Sequence, residues 1–86
     1  MKNGNVSVSV LPNPFSNQTT FVLEGFTFEQ GRIKIYNQLG QPVDEIKLVS
    51  GKLNYIYNSD KLAKGIYSYL LQADGKNIKA GKLVVE

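Results

Sequence analysis

A two-residue alternation of apolar and polar side chains, recurring in short runs, narrows the fold more than any other feature of the chain. Val6, Val8 and Val10 alternate with Ser7 and Ser9, and Ile33 and Ile35 alternate with Arg32, Lys34 and Tyr36. That period sends successive side chains to opposite faces of an extended strand, one face toward a core and one toward water. No stretch of ten or more residues carries the 3.6-residue period of a helix. The chain therefore reads as all-β.

Turn-forming residues divide it into seven expected strands. Pro12-Asn13-Pro14 stops the first, because neither proline has an amide to donate. Residues 19–23, rich in β-branched and aromatic side chains, form the second. Phe26 and Phe28 flank a loop closed by Gly31, and residues 32–36 form the third. The turn at residues 37–41 needs Gly40 for a positive φ, so residues 43–49 should return as a hairpin. Ser50-Gly51 turns the chain into a fifth strand at residues 53–57. Residues 58–65 break the alternation and have room for one helical turn, capped by Ser59 or Asp60. Residues 66–73, the hairpin pair Asp74-Gly75 and residues 78–85 complete the set. Seven short strands at this spacing predict a seven-stranded antiparallel immunoglobulin-like β-sandwich.

Composition sets what such a sandwich can do. At 86 residues the chain is one domain. Its 42% apolar content suits a small core. It has no cysteine, so neither a disulfide nor a thiolate metal site can form, and stability rests on packing. It has no histidine, the commonest general base and metal ligand. Of the carboxylates, Asp60 and Asp74 sit in turn sequences, and Asp44 and Glu45 are adjacent on a strand and so face opposite ways. The glycines are scattered, with no phosphate-binding loop among them, and no calcium loop spacing occurs. No catalytic, cofactor-binding or metal site is expected. Nor is nucleic-acid binding: the net charge is only +3, and Lys76, Lys79 and Lys82 read as a solvated strand face. No apolar run approaches the length of a membrane span, and the first residues lack the apolar stretch of a signal peptide. Residues 1–5 read as a linker remnant and residues 6–86 as the domain, with Met1 the start of an excised piece of a longer precursor.

The aromatic residues admit two readings. Tyr55 and Tyr57 share one face of the fifth strand, and Tyr67 and Tyr69 one face of the sixth. Exposed, such rows would stack on sugar rings and make a carbohydrate-binding or adhesive module. The favoured reading is that one pair fills the core and the rest cover cross-strand neighbours. Leu62-Ala63-Lys64-Gly65-Ile66-Tyr67 has the form of a tyrosine corner, in which the hydroxyl bonds back to the backbone upstream.

Four segments also resemble those of the type A C-terminal sorting domain of Bacteroidetes type IX secretion, in the family's order. Leu11-Pro12-Asn13-Pro14-Phe15 followed by Thr20-Phe21 is similar to its Tyr-Pro-Asn-Pro-Phe segment, with Leu11 where tyrosine is frequent. Tyr36-Asn37-Gln38-Leu39-Gly40-Gln41-Pro42-Val43 is similar to its Tyr-Asx-x-x-Gly-x-x-Val hairpin. Leu62-Ala63-Lys64-Gly65-Ile66-Tyr67 is similar to its Leu-x-x-Gly-x-Tyr, and Gly81-Lys82-Leu83-Val84-Val85 to its closing strand.

The resemblance implies an export address rather than a catalyst. It implies a cargo domain fused ahead, passage through the periplasm, and recognition by an outer-membrane translocon and its shuttle components. It further implies cleavage by a surface cysteine-peptidase sortase, leaving the cargo at the cell surface or outside the cell. The residues expected to carry recognition are Gly65, Ile66 and Tyr67 at the corner and Gly81, Lys82, Leu83, Val84 and Val85 in the last strand. Pro12, Asn13, Pro14 and Gly40 are expected to be architectural. The last strand is apolar and lies at the chain end, where it should be removable or re-paired at low cost, as strand addition to a partner requires. A structural spacer and, more remotely, an enzyme are the remaining alternatives.

Overall fold

A computed structural model describes residues 7–25 and 27–86. Val6, Phe26 and the expected linker at residues 1–5 lie outside the described residues. The seven strands are β1 (Ser7–Leu11), β2 (Gln18–Glu24), β3 (Gly31–Tyr36), β4 (Pro42–Leu48), β5 (Asn54–Asn58), β6 (Gly65–Ala73) and β7 (Lys76–Val85). They form two antiparallel sheets, ordered β1-β2-β5 and β4-β3-β6-β7. The expected all-β sandwich is therefore what forms. In the constant-type immunoglobulin arrangement the fourth strand belongs to the larger ABED sheet. Here β4 pairs with β3 instead, so the hairpin expected from Gly40 stays within one sheet.

The alternation selects the core. Phe21 and Leu23 of β2, Ile33 and Ile35 of β3, Leu71 of β6 and Leu83 of β7 are completely or almost completely buried. Phe21 sits at the centre, with the rings of Tyr69 and Tyr57 edge-on to it at centroid distances of 5.5 and 6.3 Å. Such edge-to-face pairs add to what burial alone contributes. Both tyrosine pairs lie inside the sandwich: Tyr55, Tyr57, Tyr67 and Tyr69 are each less than a tenth exposed. The core takes both rows, not one, and leaves no tyrosine row for a sugar to stack on.

The expected helical turn between β5 and β6 does not form. Residues 58–64 make a tight turn closed by Leu62 N–H donating to Ser59 O at 2.9 Å. Ser59 does not cap a helix. Its hydroxyl donates to Ser16 O at 2.8 Å, and its amide donates to Asn17 O at 3.0 Å. The residue is buried, so its polar groups must be satisfied, and the loop after β1 offers the acceptors. Asp74 and Gly75 both take positive φ, 50° and 80°, as a two-residue hairpin between β6 and β7 requires. The Asp74 carboxylate also accepts from the Gln30 and Glu29 amides at 3.0 and 3.1 Å, which ties this hairpin to the loop before β3.

Candidate functional site

The Pro12-Asn13-Pro14-Phe15 segment sits against the end of β7. Pro12 and Pro14 interrupt the β1–β2 ladder, and the Thr19 hydroxyl donates to Pro12 O at 2.6 Å, holding the loop to the start of β2. Asn13 is thereby turned toward the free edge of β7. Its carboxamide donates to Lys82 O at 3.1 Å and accepts from Val84 N–H at 3.0 Å. One side chain thus pairs with the strand as a ladder residue would. The main chain then takes over: Phe15 N–H donates to Val84 O at 3.0 Å, and Glu86 N–H donates to Phe15 O at 2.8 Å. The Phe15 ring is buried in the core. A short parallel bridge between Phe15 and Val85 results.

The last strand is consequently not cheap to remove or to re-pair. Its other edge is laddered to β6 from Gly65↔Val85 onward, and Leu83 and Val85 are buried. Over residues 82–86 both edges carry backbone hydrogen bonds, and the inner side chains Leu83 and Val85 are in the core. This overturns the expectation drawn from its place at the chain end.

At the corner, the Tyr67 hydroxyl donates to Ala63 O at 2.6 Å, so the tyrosine corner is present. Gly65 opens β6 opposite Val85, and Ile66 projects to the outer face, 45% exposed, opposite half-buried Val84. Gly81 has a steric task. A methyl group there would come within 2.5–2.8 Å of the Tyr69 hydroxyl and ring, so the glycine makes room for that ring. Asn37 closes the β3–β4 turn, accepting from the Leu39 and Gln41 amides at 2.9 and 3.0 Å, and Gly40 has φ 83°.

These pieces meet at one end of the molecule. A shallow recess of about 250 Å³ is lined by Asn37, Gln38, Gly40, Ile66, Tyr67, Ser68 and Lys82. Three of the four motif segments line it, and the fourth holds Lys82 in place through Asn13. Gly65, Ile66, Tyr67 and residues 81–85 are neighbours across the β6–β7 ladder. Their side chains divide by face: Tyr67, Leu83 and Val85 are buried, while Ile66 and Lys82 are exposed and Val84 is half-buried. Asn13 and Gly40, read from sequence as architectural, border the same end. The juxtaposition was hidden in the sequence because Asn13 and Lys82 stand 69 positions apart.

Other polar contacts are structural. The Tyr57 hydroxyl donates to the Asp44 carboxylate at 2.7 Å across the two sheets, a pairing no local pattern announces. Burial first, then the Asp44 hydrogen bond and charge, hold the Tyr57 hydroxyl well above the ordinary tyrosine range. The Tyr55 hydroxyl accepts from Val49 N–H at 2.9 Å and reaches Lys52 O at 2.7 Å, fastening the β4–β5 connection. Among the described residues no cluster of acidic, histidine or cysteine side chains has the geometry of a metal site.

Comparison with known proteins agrees with the geometry. No curated protein matches the chain. The family described as the secretion system C-terminal sorting domain matches residues 9–86, a span that takes in all four motif segments. Members of that family serve as the C-terminal sorting signal of type IX secretion, exporting a fused cargo to the cell surface or beyond. A sorting signal of this kind is not a catalytic domain. With nearly its whole length matched and its four motifs in order, this chain belongs to the secretion system C-terminal sorting domain family.

Proposed function

We propose that the domain is a type A sorting domain of a Bacteroidetes host and that residues 6–86 form its working unit, joined to the cargo through residues 1–5. In this reading the cargo and domain reach the periplasm together, and an outer-membrane translocon with its shuttle components recognises the domain. A surface cysteine-peptidase sortase then cuts at or before residues 1–5. The observation that carries the reading is the family match over residues 9–86 with all four motifs in register. The recognition residues in this reading are Gly65, Ile66, Tyr67 and residues 81–85. Their convergence on one end of the sandwich supports it: a partner could touch Ile66 and Lys82 together, on a surface that buried Tyr67, Leu83 and Val85 hold from beneath.

The test is a fusion of residues 1–86 behind a signal peptide and a fluorescent protein, expressed in a Bacteroidetes host. Translocon-dependent export, with a new terminus near residues 1–5 on the released reporter, is the expected result. Retention in the periplasm would count against the sorting role. Export with the domain still attached would count against the sortase step alone.

A further inference from the structure

The geometry points to an acidic protein surface as what reads this address, docking on the folded domain at the recess between the Asn37–Gly40 turn, Ile66 and Lys82. The inference rests on the sorting function proposed above and specifies the chemistry of the partner.

The terminal strand withholds its own edge. At residues 82–86 its outer edge is filled by Asn13 and Phe15, and its inner side chains Leu83 and Val85 are in the core. A partner strand could pair there only after breaking the Asn13 and Phe15 hydrogen bonds. The outer face of the same strand needs no such opening. There Ile66 stands opposite Val84, and Ser68 stands opposite Lys82 one pair further along. An apolar pair thus lies beside an exposed ammonium group. Lys82 has no carboxylate partner among the described residues, and Asn13 fixes its backbone.

Charge distinguishes the two sheets. The outward positions of the four-stranded sheet include Arg32, Lys34, Lys47 and Lys82 against a single carboxylate, Glu45, which lies 3.7 Å from Arg32. The outward positions of the other sheet run through Ser9, Leu11, Thr20, Val22, Asn54 and Ile56, with Glu24 at the end of β2 the single charged residue among them, and that one negative. The field is therefore positive on the face that holds the recess. A one-signed face steers and orients a partner of the opposite sign. A protein fits better than an anionic glycan. Phosphate-rich ligands call for convergent donors; Arg32 and Lys47 stand opposite one another on β3 and β4, but Lys82 is the one cation lining the recess, which sets it beside Ile66. A carboxylate flanked by an apolar side chain, as at the margin of a protein interface, matches both.

Charge reversal tests it in the reporter fusion. Lys82→Glu should cut export roughly tenfold or more, equivalent to about 1.4 kcal/mol of binding, with the melting temperature of the purified domain unchanged. Lys76→Glu, at the far end of the same strand, should export within about twofold of the unsubstituted fusion. If Lys82→Glu lowers stability as well, Ile66→Glu and Lys82→Gln decide, because both keep the strand's backbone contacts and both should still impair export. Normal export of stably folded Lys82→Glu overturns the inference. So does normal export with loss only of surface retention, which would place the contact with an anionic glycan. Failure of the unsubstituted fusion overturns the sorting function itself, and so is distinguishable from failure of the docking surface.

Discussion

A methyl group at position 81 would have nowhere to go. It would meet the Tyr69 ring at 2.5–2.8 Å, and that ring is already packed edge-on against Phe21. Gly81→Ala should cost about 1–3 kcal/mol, the usual range for overpacking, read as a lower urea midpoint; an unchanged midpoint would contradict this packing. Tyr67→Phe should cost less. It removes the bond to Ala63 O, but Ala63 is exposed, so the abandoned carbonyl finds water and the loss should stay near 1 kcal/mol. Tyr57 and Tyr69 set the alkaline limit. Both hydroxyls are raised above the ordinary tyrosine value near pH 10, by burial in each case, with Asp44 adding to the shift at Tyr57. Above about pH 10 the unfolded chain releases tyrosine protons that the folded chain keeps. The stability they contribute is present below that pH and is lost as pH rises further. The urea midpoint should therefore fall above pH 10, and fall less in Tyr57→Phe; parallel profiles would rule out this role. The corner tyrosine was legible in the sequence because its signal is local. Gly81 was seen only as part of a motif, because its reason is a ring on the neighbouring strand.

At the scale of elements, the strands follow from alternation and the turns from Gly40 and Asp74-Gly75, and these were legible. What joins them was not. Ser and Asp favour helix caps, so the segment between β5 and β6 has the local signature of a helical turn, yet Ser59 bonds instead to a loop more than forty residues earlier. A strand at the chain end looks easily released from its position alone, yet Asn13 and Phe15 close its outer edge over residues 82–86. These are tertiary hydrogen bonds, and no local pattern encodes them. Asn13→Ala should open that edge. The Val84 amide, which donates to the Asn13 side chain, should then exchange with solvent about tenfold faster in the native state. Amides facing β6 should change much less. Equal acceleration across the whole strand would indicate general loss of stability instead of a local clamp.

At the scale of the whole molecule, four segments scattered over the sequence are brought to one end of a sandwich 39 Å long. The core and the address share residues: Tyr67, Leu83 and Val85 are buried beside the surface that Ile66 and Lys82 form. Removing residues 83–86 would empty part of the core, so loss of export after that truncation would not isolate recognition. Substitutions on the outer face do. This folded domain should suffice to send a cargo out, and the extracellular fraction of a reporter fused ahead of residues 1–86 measures it. That fraction is compared in a type IX-competent host and in the same host without its outer-membrane translocon. The reporter should be mostly outside the cell in the first and confined to the periplasm in the second. Equal distribution in the two strains would contradict it.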